Sequence, residues 1–124
     1  RNISQIYNKH LKASGEKINA NQVSILVTIS QVDDGSINKI SNLLKMERTT
    51  LSRNLNVLKK AGWVKSNTGS DGRFTYIDLT EKGNKVLSNV FPHWSKAQDQ
   101  VKKILGGELD SFRKNLKNIN INLI

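Results

Sequence analysis

The sequence predicts a mainly α-helical protein with one small β-hairpin, an α+β class, and three observations carry this prediction. Apolar residues recur at helical spacing along most of the 124 residues. Two short β-rich runs, at residues 63–65 and 74–79, are separated by a glycine- and serine-rich turn at residues 67–72. Further helical patterns follow this hairpin. The expected order is therefore four helices, two strands and two helices.

Three amphipathic helices come first, and capping residues mark where they begin. The first helix is expected to end at Gly15, and the second begins at Asn19, where Gln22 completes a capping box. Ser36 caps the third helix, after a turn at residues 33–35. The residues expected to face inward are Ile3, Ile6, Tyr7 and Leu11 in the first helix, Val23, Ile25, Leu26, Val27, Ile29 and Ser30 in the second, and Ile37, Ile40, Leu43 and Leu44 in the third.

The fourth helix has two contrasting faces. At about 100° per residue, Leu51, Leu55 and Leu58 fall within a narrow apolar stripe. The opposite face carries hydroxyl, guanidinium, amide and ammonium groups in a row, from Thr49, Arg53, Asn56 and Lys60, with Ser52 to one side. Gly62 suits the left-handed residue that stops such a helix. A donor-rich helix followed by a basic hairpin is a compact way to hold duplex DNA, with the helix in the major groove.

A long helix is expected after the hairpin. Thr80 caps it, and Pro92 is expected to kink it because proline removes a backbone hydrogen bond. The pair Gly106-Gly107 is expected to end it. The apolar face of a final helix then comprises Leu109, Phe112, Leu116 and Ile119. The first and last helices have little to bury against within one small lobe, which predicts a homodimer whose interface is built from both ends of the sequence.

The charge balance favours a polyanionic partner. The chain has 20 Lys+Arg and 10 Asp+Glu, a net charge of +10, and residues 36–76 hold eight basic and two acidic residues, or +6 of that total. On charge alone, that partner is either nucleic acid or an acidic membrane surface. No apolar run approaches the roughly 20 residues of a membrane span. The absence of cysteine excludes thiolate chemistry, and with no visible signal peptide it predicts a cytoplasmic location. Because residue 1 is arginine, the native N-terminus is expected upstream.

The chain resembles the MarR family of winged-helix transcription regulators. The matching pattern runs from Gln22 through the third helix at residues 36–44 and the recognition helix TTLSRNLNVLKKAGWV, and ends with an Asp-Gly-Arg wing and the run YIDLTEKG at residues 76–83. The resemblance implies an N-terminal dimerisation helix at residues 1–18, a winged helix-turn-helix lobe at residues 19–90, and C-terminal dimerisation helices at residues 91–124. The chain departs from the family at the wing tip, where only Arg73 is positive, and at Trp63, where an aliphatic residue is usual.

The outward face of the fourth helix is interpreted as the DNA-reading surface. Arg53 would hold a guanine and Asn56 an adenine, each through paired hydrogen bonds. Thr49 and Ser52 would bond phosphate or a base edge. The further candidates for phosphate contact are Lys39, Arg48, Thr50, Lys60, Lys65 and Ser70. The alternative for all of these is an ordinary solvated surface.

The resemblance also implies roles for the wing and for a small effector. Arg73 would reach the minor groove, and Asp71 would hold that arginine in place. An effector would bind between the DNA lobe and the dimer helices. The candidate lining residues are Tyr7, His10, Phe91 and Trp94, with His93 beside them. The alternative is that the aromatic residues are only core or interface residues.

The sequence predicts neither an enzyme nor a metal protein. It contains no nucleophile–base arrangement, phosphate loop or paired-carboxylate signature. His10 and His93 are the only histidines, lie far apart and have no cluster of acids beside them, so no metal or cofactor is expected.

We therefore predict a dimeric transcription regulator, a repressor in the simplest case, that binds a pseudo-palindromic operator in double-stranded DNA. Two alternatives stay open. A winged-helix module that docks an acidic protein would have an apolar recognition face. A nonspecific architectural protein would bind duplexes with a steep salt dependence and little sequence preference.

Overall fold

The computed structural model describes residues 3–33, 35–69, 72 and 74–115, of which residues 108–115 are described only as helix. The elements are α1 (Ile3–Lys12), α2 (Ala20–Gln31), α3 (Ile37–Leu44), α4 (Arg48–Lys60), β1 (Val64–Thr68), β2 (Thr75–Leu79) and α5 (Glu81–Asn115). The fold class and the order of the first six elements agree with the prediction. The turn predicted at residues 67–72 begins too early, because Asn67 and Thr68 pair with Tyr76 and Thr75 and so extend β1. The turn predicted at residues 33–35 includes Asp34, which lies outside the described residues.

The predicted break at Gly106-Gly107 is wrong, because α5 continues through both glycines. Each glycine costs a helix about 1 kcal/mol relative to alanine, which a long helix tolerates when its other residues favour the conformation. Leu109 and Phe112 therefore belong to α5, and the rest of the predicted final helix lies outside the described residues. Pro92 lies inside α5, and the kink expected there stays a prediction.

The predicted caps of α2 and α3 are confirmed. The Asn19 side chain accepts a hydrogen bond from the Gln22 amide at 2.9 Å, and the Gln22 side chain accepts one from the Asn19 amide at 3.1 Å. Ser36 Oγ accepts from the Lys39 amide at 3.2 Å. These bonds satisfy amides that the first turn of each helix leaves without a helical partner.

Two apolar clusters hold the described part of the chain together. The larger one, here called the lobe core, consists of Leu11, Val23, Ile25, Leu26, Val27, Ile29, Ile40, Leu51, Leu55, Leu58, Val64, Ile77, Val86 and Val90. The smaller one, the α1–α5 cluster, consists of Ile6, Ala97 and Val101, with Tyr7 and Ile104 packed against it. The expectation that α1 has little to bury against within one small lobe needs a correction, because α1 buries Leu11 in the lobe core and Ile6 against α5.

The predicted inner face of α3 needs a correction. Ile40 is fully buried, but Leu43 is 52% exposed. The helix is rotated so that Ile37 and Leu44, on one side of Ile40, pack against the lobe core, and Leu43 on the other side faces solvent. Ile3 in α1 and Ser30 in α2, both expected to face inward, are likewise exposed.

The hairpin is tied to the start of α3. β1 and β2 pair antiparallel, with Val64 opposite Leu79 and Thr68 opposite Thr75. The Ile77 amide donates to the Gly35 carbonyl at 2.8 Å, and a Cβ on Gly35 would lie 2.6 Å from the Ile77 oxygen, so the two backbones meet where only glycine fits. The sheet edge therefore fixes where α3 begins. In the described ranges, no helix combines the length and apolar character needed to span a membrane.

Candidate nucleic-acid interface

The C-terminus of α4 is closed by a Schellman motif. Gly62 adopts a left-handed conformation, with φ of 79°, as predicted. The Trp63 amide donates to the Leu58 carbonyl at 3.0 Å, and the Gly62 amide donates to the Lys59 carbonyl at 2.9 Å. Trp63 packs against the lobe core. The chain therefore leaves α4 in a fixed direction, toward β1.

The start of α5 docks onto this same motif. Thr80 Oγ1 donates to the Gly62 carbonyl at 2.5 Å and accepts from the Gly83 amide at 3.0 Å, which confirms the predicted cap. The Thr80 amide donates to the Trp63 carbonyl at 3.0 Å. A Cβ on Gly83 would lie 1.9 Å from that carbonyl oxygen. The Thr-Glu-Lys-Gly run is thus a packing motif, in which two backbones approach too closely for any side chain.

The outward face of α4 has the polarity that the sequence predicts. Leu51, Leu55 and Leu58 are buried in the lobe core. The exposed residues of the helix that were predicted to face DNA are Arg48, Thr49, Ser52, Arg53, Asn56 and Lys60. Thr50 is half-buried, and its carbonyl accepts a hydrogen bond from the Asn54 side chain at 3.0 Å. The α4 surface therefore presents a row of hydrogen-bond donors and positive charge to solvent.

Positive charge extends from α4 to its neighbours. Lys39 is exposed on α3 and Lys65 on β1. Within the part of the chain that the structure describes, Lys39, Lys65 and Arg53 are in no ion pair. The ion pair seen in that part joins Lys85 to Glu81 on α5, at 3.8 Å. Their charge is thus available to a partner. Ser70, Asp71 and Arg73, the predicted wing residues, lie outside the described residues, so their roles stay predictions.

A small groove between α3, α4 and β2 was missed by sequence reasoning. It has a volume of about 90 Å³. Its lining comprises Ser36, Ile37, Asn38, Arg48, Phe74 and Thr75. Arg48 was predicted as a phosphate contact, but Asn38 and Thr75 were not. The long-range bridge between Ser36 and Tyr76, with the bond from the Ile77 amide to the Gly35 carbonyl, brings these residues together, and no local sequence pattern signals such contacts.

The predicted effector residues do not line one common pocket. Tyr7 packs against the α1–α5 cluster, and His10 Nε2 lies 2.8 Å from Gln100 Oε1. Trp94 packs against the lobe core, with its ring centroid 5.8 Å from that of the exposed Phe91. An open groove of about 430 Å³ beside Tyr7 is lined by residues 3, 4, 7, 8 and 19–21, so the other three candidates lie outside it. The packing of Tyr7 and Trp94 agrees with the core alternative.

Among the described residues, no group of three or more His, Asp or Glu side chains is placed to hold a metal ion. His10 is engaged with Gln100 on α5. This hydrogen bond connects α1 with α5, so His10 has a structural role.

Comparisons with known proteins agree with this geometry. Residues 18–83 match the model of the family described as the winged helix DNA-binding domain. The transcriptional repressor MprA of Escherichia coli K12 is 35% identical over 88 residues, which are 68% of this chain and 49% of MprA. The chain therefore spans about half the length of that relative. The relatives that it matches are named as transcription regulators, in agreement with the prediction that the chain is not an enzyme.

Solved structures share the fold across nearly the whole chain. The transcriptional regulator MosR of M. tuberculosis, in a crystal structure with DNA, has a TM-score of 0.72 and 27% identity, over 96% of this chain and 90% of its own. A MarR-family regulator from Rhodococcus sp. RHA1 has a TM-score of 0.70 and 15% identity, over 90% and 81% of the two chains. The chain belongs to the winged helix DNA-binding domain family, and its fold is that of the MarR-family transcription regulators.

Proposed function

We propose that this protein is a sequence-specific transcription regulator that binds a pseudo-palindromic operator as a homodimer. The observation that carries the proposal is the exposed, donor-rich face of α4, whose C-terminal end is held by hydrogen bonds from Thr80 to Gly62 and Trp63. A fixed helix can present the same hydrogen-bond donors to every operator, and that constancy is what base readout in the major groove requires. The MosR structure with DNA supports duplex DNA as the partner.

Arg53 and Asn56 are the proposed base-reading residues. Both are exposed, and Arg53 is in no ion pair within the described part of the chain. Arg53→Ala is expected to weaken operator binding by roughly 1–3 kcal/mol per half-site and to relax the preference at one base pair. Lys85→Ala, on α5, removes an exposed cation outside the proposed interface and is the matched control. Unchanged affinity and selectivity after Arg53→Ala would contradict the assignment.

The proposed dimer interface uses residues 1–18 and 91–124. Exposed Ile3 and Leu105 flank the α1–α5 cluster and would be covered by a second copy. The two recognition helices would then lie one DNA turn apart, ~34–36 Å, which is why a pseudo-palindrome is proposed. Sedimentation of the purified protein tests this step, and a monomer at micromolar concentration would contradict it.

Repression and release by a small effector complete the proposal. A regulator of this kind represses when its operator overlaps a promoter, and the relative MprA is named as a repressor. An effector near Tyr7, His10, Phe91 or Trp94 would release DNA only if it bound one conformation of the dimer more tightly than the other.

Tryptophan fluorescence tests for effector binding. The chain has two tryptophans, so Trp63→Phe leaves Trp94 as its only tryptophan. Its fluorescence would report binding of small aromatic compounds in this region.

The deciding experiment is selection of bound duplexes from a random DNA pool at near-physiological salt. An enriched inverted repeat, with half-sites about one turn apart, would support the proposal. Salt-sensitive binding without enrichment would instead identify a nonspecific architectural protein. No binding to any duplex would favour a module that docks an acidic protein.

A further inference from the structure

Val57 is the one large apolar side chain on the outward surface of α4. The inward stripe of this helix is Leu51, Leu55 and Leu58, and every other residue from Arg48 to Lys60 is polar or charged. Val57 is nevertheless 50% exposed. Packing in the lobe core therefore does not explain why an aliphatic residue stands at this position.

Helix propensity does not explain it either. Valine is a poorer helix former than alanine, lysine or glutamine, because its branched Cβ restricts the side chain against the preceding turn. At a half-exposed position of a helix whose ends are already capped, a polar residue would serve solubility and helix stability better. A valine here is best explained by a partner that Val57 meets outside the chain.

The position of Val57 on the helix identifies that partner. At 100° per residue, Val57 lies about 40° around the helix from Arg53 and one turn further along it. Residues at this spacing have Cβ atoms roughly 5–6 Å apart. Successive base pairs are about 3.4 Å apart, so the two side chains would meet bases one or two steps from each other.

The major groove of DNA offers one apolar group at the base edges, the C5-methyl of thymine. We propose that Val57 contacts this methyl group, one or two base pairs from the guanine held by Arg53, and thereby selects thymine in each half-site. This inference rests on the proposed function, because it assigns a further specificity-determining residue to the same DNA-reading face.

The test uses the duplex selected from the random pool, with deoxyuridine replacing each thymine of the half-site in turn. This replacement removes only the methyl group and keeps the base pair. For the wild-type protein, we expect one position per half-site at which affinity falls about fourfold, the ratio for one lost methyl contact. The Val57→Ala protein should bind the selected duplex and the duplex with deoxyuridine at that position with equal affinity.

Two controls separate this effect from general damage. Leu43→Ala shortens an aliphatic side chain of similar exposure on α3, and it should keep the wild-type response to uracil. Val57→Ala should retain its helical content and its melting temperature, because the residue is outside the core. A penalty that persists in Val57→Ala, disappears in Leu43→Ala, or is absent from the wild-type protein at every thymine would overturn the proposal.

Failure of the proposed function gives a different result. A wild-type protein that binds the selected duplex and a scrambled duplex equally would show no base readout, and both proposals would then fall. Retained preference for the selected duplex, with no response to uracil, would reject only the role of Val57.

Discussion

Substitution of Gly83 by alanine tests the packing that orients the DNA-binding lobe. A Cβ at residue 83 would lie 1.9 Å from the Trp63 oxygen, 2.8 Å from its carbonyl carbon and 3.1 Å from its Cα. Real Cβ contacts essentially never fall below 3.0 Å, so α5 must withdraw by about 1.1 Å. All three atoms are backbone atoms, so no side chain can rotate away to make room.

The cost follows from the contacts that this displacement removes. The bonds from the Thr80 amide to Trp63 and from Thr80 Oγ1 to Gly62 would both stretch beyond hydrogen-bond distance. Each contributes about 1 kcal/mol. Overpacking adds about 1–3 kcal/mol, and the better helix propensity of alanine returns about 1 kcal/mol. Gly83→Ala should therefore lower the free energy of unfolding by about 2–4 kcal/mol.

Gly106→Ala is a matched control in the same helix. Apart from its chain neighbours and the nearby backbone of α5, no atom of the described residues lies within 4 Å of a Cβ built at residue 106, so helix propensity is the main change there. This substitution should raise stability by about 0.5–1 kcal/mol. Urea denaturation followed by far-ultraviolet circular dichroism, at one protein concentration, measures both changes. A Gly83→Ala protein as stable as the wild type would refute the close approach of α5 to Trp63.

Three further predictions concern the caps, the core and the charge. Asn19→Ala should lower stability by about 1 kcal/mol, and Asn19→Asp should restore most of it, because aspartate caps as well as asparagine; equal melting temperatures for both variants would count against the capping box. Leu26→Ala should cost about 2–5 kcal/mol in denaturant titrations, since Leu26 is fully buried, whereas the same change at exposed Leu43 should cost far less. Lys65→Ala should weaken binding evenly across DNA sequences and reduce the slope of log affinity against log salt by about 1; lost selectivity would show that Lys65 reads bases.

Local patterns predicted the elements whose causes are local. The capping box of α2, the leucine stripe of α4 and the left-handed Gly62 each depend on residues within seven positions of one another. Such features can be read from the sequence because the interacting groups are fixed by helix geometry alone. The exposed polar face of α4 follows in the same way, since burying its leucine stripe turns the remaining residues outward.

The errors of sequence reasoning have long-range causes. The rotation of α3, which leaves Leu43 exposed, depends on the attachment of residues 35 and 36 to β2, about 40 positions away. The groove that contains Asn38 and Thr75 depends on that same attachment. Whether the helix continues through Gly106-Gly107 depends on the summed helix propensity of all residues of α5. The spacing of apolar residues does not show that sum.

α5 connects the lobe core to the α1–α5 cluster. Val86 and Val90 belong to the lobe core, whereas Ala97 and Val101 belong to the α1–α5 cluster. The Asn89 side chain donates hydrogen bonds of 3.1 Å to the Ser14 carbonyl and to Glu16, which tie the loop after α1 to the same stretch of α5.

Pro92 lies between the two clusters, where its missing amide leaves one helical hydrogen bond unformed. Movement of α1 relative to the recognition helix would therefore bend α5 between residues 90 and 97, break the bonds of Asn89, or pull Leu11 out of the lobe core. Asn89→Ala should thus loosen this connection without altering the DNA-reading face, and faster amide hydrogen exchange in residues 14–18, with unchanged exchange in α4, would demonstrate it. Equal exchange in both proteins would show that apolar packing alone carries the connection.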